Sequence, residues 1–119
     1  MSIRRRDVLS IVVLELSGSF FGDIETEELA QAIRQVTAEG NHHLILDLTE
    51  CKVMNSTALS VLTRAQQDYA ARDGLIRLCG VQKRMRDILS VTRLLSLFGD
   101  HPTLDEALAS FAPVIQPAA

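Results

Sequence analysis

At 119 residues, with 47% hydrophobic and 23% charged side chains, the chain has the length of one domain and the composition of an ordinary soluble globular protein. A domain of that size buries roughly 65% of its unfolded surface, so neither a disulfide nor a metal is required for it to fold. A net charge of -3 and a pI near 5.5 provide no long-range attraction for a phosphate backbone, which argues against nucleic-acid binding.

The first segment holds the only basic run, Arg4, Arg5 and Arg6, without interleaved aromatics, and reads as a solvated edge strand over residues 2–6. Val8 to Leu16 is an apolar, β-rich stretch ended by Ser17 and Gly18, and predicts a strand. From Glu25 to Glu39 the spacing of Leu29, Ile33 and Val36 is helical, with Asp23 or Thr26 available as the cap and Gly40 as the stop. His43 to Thr49 predicts a second strand, and the weak alternation of its LILDL core implies burial on both faces. Ala58, Leu59, Val61, Leu62, Ala65 and Tyr69 then form a helical stripe that Gly74 closes.

Leu75 to Cys79 is a third strand of this series, ended by Gly80. Met85, Ile88, Leu89, Thr92 and Leu95 mark another amphipathic helix, and an extended piece near Leu97 to His101 predicts an edge strand. Thr103 opens a last helix, with Glu106 three residues on as a capping box. The domain spans 1–112, and the proline-containing end, 113–119, reads as a disordered tail.

Strands alternating with helix-length connections define an α/β fold with a small, mainly parallel or mixed sheet of about four to five strands, covered by about four helices. Functional loops in such sheets lie outside the carboxyl ends of the strands. Three segments qualify: Ser17 to Asp23, Thr49 to Thr57, and Gly80 to Arg84.

Several function classes fall away. No stretch of about 18 uncharged apolar residues is present, so no membrane insertion is expected. Cys51 and Cys79 lack C-x-x-C spacing, and Met1 to Asp7 does not resemble a secretory signal, which points to a reducing, cytoplasmic setting. His42, His43 and His101 are not accompanied by ligands at metal-site spacing. Neither a phosphate-cradling G-x-x-x-x-G-K-[ST] nor a G-x-G-x-x-G motif occurs, so no cofactor is expected. Ser56 lacks the glycines of a nucleophile elbow and an identifiable base, so the chain reads as a non-enzyme.

The most informative stretch is VMNSTALSVL, residues 53–62, where Asn55, Ser56 and Thr57 stand between a strand and a helix. One such residue serves as a helix cap; three together leave a hydroxyl free for other use. A hydroxyl at a helix N-terminus also tolerates added negative charge, so a phosphoserine is accommodated there.

Met54-Asn55-Ser56-Thr57-Ala58-Leu59, preceded by HLILDLTECK, resembles the signature of STAS domains, the fold of bacterial anti-sigma factor antagonists. Gly18 with Asp23-Ile24-Glu25-Thr26 is similar to that family's stretch before the first helix. Ala58 stands where the family usually has Gly, Asn55 where Asp is commoner, and the first loop carries two extra residues within Ser19 to Gly22. The resemblance implies phosphorylation at Ser56, with Thr57 as the alternative. It also implies binding to a serine-kinase anti-sigma factor of the histidine-kinase-like ATPase fold, with a phosphatase restoring the binding form. The partner surface expected on this basis comprises Phe20, Phe21, Asp23, Asn55, Ser56, Thr57, Lys83 and Arg84. The alternative within the same family is a non-switching subunit of a lipid-transport ABC complex or of a stress-sensing scaffold.

Overall fold

The computed structural model describes residues 2–111, so the expected tail at 113–119 lies outside the described residues. β1 (Ser2–Val8) and β2 (Ile11–Phe20) form an antiparallel hairpin, with Val8 opposite Ile11 across the two-residue turn Leu9-Ser10. The strand expected from Val8 to Leu16 is therefore divided, because Leu9 takes a positive φ of 56° and reverses the chain. β2 also runs past Gly18 instead of ending there. Gly18, at φ 88°, sits at a register shift in the pairing with the next strand, so it re-aims β2 without stopping it.

Gly22, and neither Asp23 nor Thr26, occupies the cap position of α1 (Asp23–Ala38). Thr26 is buried on the inner face of that helix with Leu29, Ile33 and Val36. β3 (His43–Met54) is longer than expected and absorbs most of the segment assigned to a loop at Thr49 to Thr57. α2 (Ser56–Ala71) and β4 (Leu75–Cys79) follow as expected. α3 (Lys83–Val91) stops before Leu95 because Arg93 adopts φ 62°; a single 3-10 turn at Leu95–Leu97 then leads into β5 (Gly99–His101). α4 (Leu104–Ala109) completes the order, with Thr103 Oγ1 accepting from the Glu106 N–H at 3.2 Å, the forward half of the expected capping box.

The five strands lie in sequential order, with β1 antiparallel to β2 and β2 to β5 parallel. Successive side chains on a strand face opposite ways, so Val12, Leu14 and Leu16 share one face with Leu44, Leu46, Leu48, Ile76 and Leu78. α1, α2 and α3 cover that face with Leu29, Ile33, Leu59, Leu62, Met85 and Leu89, all closely packed in the larger core. Each such side chain withdrawn from water contributes about 1.5–3 kcal/mol. On the other face Ile11, Val13, Ile45 and Cys79 pack under Ala107 and Phe111. β3 is thus covered on both sides, as its unbroken apolar run requires.

Phe111 is held from two directions. The His43 ring meets it edge-on at 5.3 Å, and the Arg77 guanidinium lies over it, also at 5.3 Å. Gly80, at φ 66°, brings the β4–α3 connection against β3, where a Cβ would lie 2.1 Å from Thr49 Oγ1.

Gly80→Ala therefore combines a left-handed backbone with a steric clash and is expected to cost about 2 kcal/mol or more, read as a lowered urea midpoint with unchanged slope. Burial, and secondarily His42, hold the His43 imidazole below its ordinary value. Its neutral form is favoured by folding, so its contribution is complete above the unfolded value of about 6.5 and is lost as pH falls through the lower folded value. His43→Gln is expected to flatten the loss of stability that thermal melts record between about pH 7 and pH 5.

Candidate functional site

The carboxyl ends of β2, β3 and β4 lie along one edge of the sheet, and the chain leaves each of them through a short connection. Asn55 is the single residue between β3 and α2, and it joins three segments. Its N–H donates to the Phe20 carbonyl at 3.1 Å, and its side-chain Nδ2 donates to the Phe21 carbonyl. Its Oδ1 accepts from the Ala58 N–H at 3.0 Å, and its own carbonyl accepts from Leu59 N–H at 3.0 Å, opening the helical ladder. One amide side chain thereby caps α2 and fixes the end of β2 beside it.

Because Asn55 supplies the cap, Ser56 and Thr57 are released from that role. Ser56 is the first residue of α2, exposed, and its hydroxyl makes no hydrogen bond among the described residues; its carbonyl instead accepts from Ser60 Oγ at 2.9 Å. Thr57 follows, equally exposed. With the Ala58 N–H taken by Asn55, the N–H groups of Ser56 and Thr57 remain available at the positive end of the helix. Ala58 is fully buried, so the methyl that stands in place of glycine points into the core and away from Ser56.

The two phenylalanines separate. Phe20, expected in a loop, is the last residue of β2 and fully buried, because an odd-even step along a strand sends it to the core face. Phe21 is 57% exposed in the two-residue connection to α1 and lies against Asn55 through its carbonyl. Asp23, exposed, opens α1 two residues on, and Ile24, 73% exposed, is a second uncovered apolar side chain in this stretch. Nothing in the periodicity of the sequence singled out Ile24; its position one residue into a helix with an acidic first turn is the signal that was present.

Lys83 and Arg84 start α3 and line a shallow depression with Val53, Asp87 and Ile88. Val53 precedes Asn55 by two residues, so this basic turn flanks the same sheet edge as Ser56. The Lys83 ammonium reaches Asp87 at 3.5 Å with both side chains largely exposed, a pair of little strength. Gln82 fixes this connection by donating from Nε2 to the Thr49 carbonyl at 2.9 Å, a role no sequence pattern announced. Acidic groups at the start of α1 and basic groups at the start of α3 thus stand on the two sides of Ser56.

The cysteines do not compete as a reactive centre. Both are free and buried, and burial pushes the Cys51 thiol up to about 11 and that of Cys79, which also faces Asp47, up to about 12. No group of three or more His, Cys, Asp or Glu arranged to hold a metal occurs among the described residues. Among those residues no helix is long and apolar enough to cross a membrane.

A strand followed by a capped helix whose first residue is an exposed serine, on a five-stranded mixed sheet with three helices on one face, is the architecture of a STAS domain. The STAS domain family model matches residues 2–107, and the chain belongs to that family. No curated protein matches the chain in sequence. Among solved structures, it is similar to an anti-sigma factor antagonist from Mycobacterium paratuberculosis, with 25% identity, 92% of each chain covered and a TM-score of 0.82. It is similar in fold to a putative anti-sigma factor antagonist from Thermotoga maritima, with 16% identity, 91% of this chain and 92% of the other covered, and a TM-score of 0.84. It is likewise similar in fold to the phosphorylated form of the Bacillus cell fate determinant SpoIIAA, with 17% identity, 92% and 98% coverage and a TM-score of 0.74.

Asn55→Ala removes the cap of α2 and leaves the Phe21 carbonyl without its donor. The expected cost is about 1–2 kcal/mol in chemical denaturation, with faster amide exchange at Ser56 to Ala58.

Proposed function

We propose that this chain is an anti-sigma factor antagonist that is switched by phosphorylation at Ser56. The observation that carries this reading is the division of labour at the start of α2: Asn55 performs the capping, while the exposed Ser56 hydroxyl is left unengaged. The partner is a serine-kinase anti-sigma factor of the histidine-kinase-like ATPase fold, which supplies the nucleotide site, while this chain supplies the acceptor hydroxyl. Unmodified, the chain binds that factor and frees a sigma factor; a phosphatase acting on Ser56 restores the binding form.

The surface around Ser56 suits such a switch. Phe21 offers an exposed aromatic anchor, and Asp23, Thr57, Lys83 and Arg84, exposed at the starts of the helices that follow β2, β3 and β4, would supply its polar rim. The buried Phe20 supports this surface from below and is not part of it. A phosphoryl group adds a charge of roughly -1.5 to -2 at a helix end that accepts it without loss of fold. In a partner interface the same group meets desolvation and the acidic first turn of α1; a penalty of about 3 kcal/mol lowers affinity roughly a hundredfold.

Wild-type protein, Ser56→Asp, Ser56→Ala and Phe21→Ala serve as parallel baits in host lysate, with mass spectrometry of what each retains. Wild type and Ser56→Ala are expected to capture an ATPase-fold kinase, Ser56→Asp to lose it, and Phe21→Ala to retain at least about tenfold less. Incubation with that kinase and ATP is expected to phosphorylate wild type and not Ser56→Ala. Phosphate mapped to Thr57, or a transporter or scaffold partner captured equally by all Ser56 forms, would overturn the reading.

A further inference from the structure

Beyond the Ser56 surface, α1 and α2 do not close completely on each other, and between them lies a groove of about 310 Å³. Its floor is apolar and built partly from small side chains: Ala30 and Ile33 from α1, Val61 and Ala65 from α2. The volume suits a small molecule and leaves room for roughly ten water-sized groups. Two guanidinium groups stand at its walls. Arg34 of α1 is held by Glu27 at 2.8 Å, with both side chains more than half exposed, so that pair opens at little cost. Arg64 of α2 is exposed and has no carboxylate partner among the described residues. Ser60 and Thr57 line the same wall one and two turns before Arg64, on the side toward which helical side chains lean; the Ser60 hydroxyl donates to the Ser56 carbonyl, and that of Thr57 makes no hydrogen bond among the described residues.

We propose that this groove binds a compact amphiphilic carboxylate: a single negative head held by the Arg64 fork and the Thr57 hydroxyl, with a short apolar body on the alanine-rich floor. Charge complementarity selects the head, since the planar guanidinium matches a carboxylate in two parallel hydrogen bonds. Asp68 also lines the groove, one turn beyond Arg64, and offsets one of the two guanidinium charges, so that a single carboxylate balances the lining and a dianionic phosphate monoester exceeds it. Thr57 belongs both to this wall and to the turn that presents Ser56, so an occupied groove adjoins the surface assigned to the partner.

Hexanoate is titrated into isotope-labelled full chain and followed by backbone amide shifts, with neutral hexanamide and hexyl phosphate in parallel and with Arg64→Gln and Ala30→Leu as variants. Circular dichroism and thermal melts confirm that both variants fold. Hexanoate is expected to move the amides of Ala30, Ile33, Val61 and Arg64. Arg64→Gln is expected to weaken it at least about tenfold, through loss of the charged pair, and Ala30→Leu to abolish it by filling the floor. Hexanamide and hexyl phosphate are expected to bind more weakly than hexanoate. The proposal is overturned if hexanoate at millimolar concentration moves none of these amides, if hexanamide or hexyl phosphate matches it, or if Arg64→Gln binds it unchanged. Shifts of the same amides on dilution of ligand-free protein would assign the groove to a second copy of the chain and overturn it equally.

Discussion

Leu44 and Leu46 on one side of β3 and Ile45 on the other leave the first half of that strand no solvated face, so helices must cover both sides of the sheet around it. Parallel neighbours on each edge follow, since β2 and β4 can lie alongside β3 in the same direction only if a helix carries the chain back each time. Those crossovers place α1 and α2 side by side on one face. The remaining cover falls to α4, which is short and lies over Ile11, Val13, Ile45 and Cys79. The burial of one strand therefore fixes the layers of the whole domain.

Parallel pairing has a second consequence, because it brings the carboxyl ends of three strands to one edge. β2 and β3 reach that edge with two register shifts between them, and Phe20 pairs with Met54 at the limit. The chain turns into α1 and α2 immediately beyond. Asn55 closes the gap by bonding to the carbonyls of Phe20 and Phe21 on one side and to the first turn of α2 on the other. Aspartate at this position would accept the helical N–H equally well but has no donor for the Phe21 carbonyl, which gives the amide a structural reason here. The exposed Ser56 is a product of that arrangement, since the neighbouring side chain satisfies the helix end.

The order and type of the main elements were legible in the sequence because their apolar residues repeat at strand or helix period over long enough runs. The stripe Leu29, Ile33, Val36 and the stripe Leu59, Leu62, Ala65, Tyr69 both face the core as their spacing required. Boundaries were less legible. Val8 and Ile11 belong to one apolar run in the sequence, yet the chain reverses between them through a left-handed Leu9, a conformation that leucine rarely adopts and no local pattern marks. Gly18 carries the usual signature of a strand end, but pairing with β3 holds the backbone extended past it as far as Phe20. Local composition lost to interstrand hydrogen bonding in both strands that border the site.

At the site itself the sequence determined which residue types stand between β3 and α2, and the resemblance of Met54 to Leu59 to a STAS signature followed from those types alone. The tertiary structure decided which of them is free: Oδ1 of Asn55 takes the cap, and the Ser56 hydroxyl stays in solvent. It also decided between the two adjacent phenylalanines, burying Phe20 on the core face at the end of β2 and exposing Phe21 in the connection that leaves the sheet. The convergence of Phe21, Ser56, Lys83 and Arg84 on one edge, and the groove between α1 and α2, depend on contacts between segments far apart in the chain. Periodicity reports which face of an element is apolar; only packing fixes what that face meets and what it leaves uncovered.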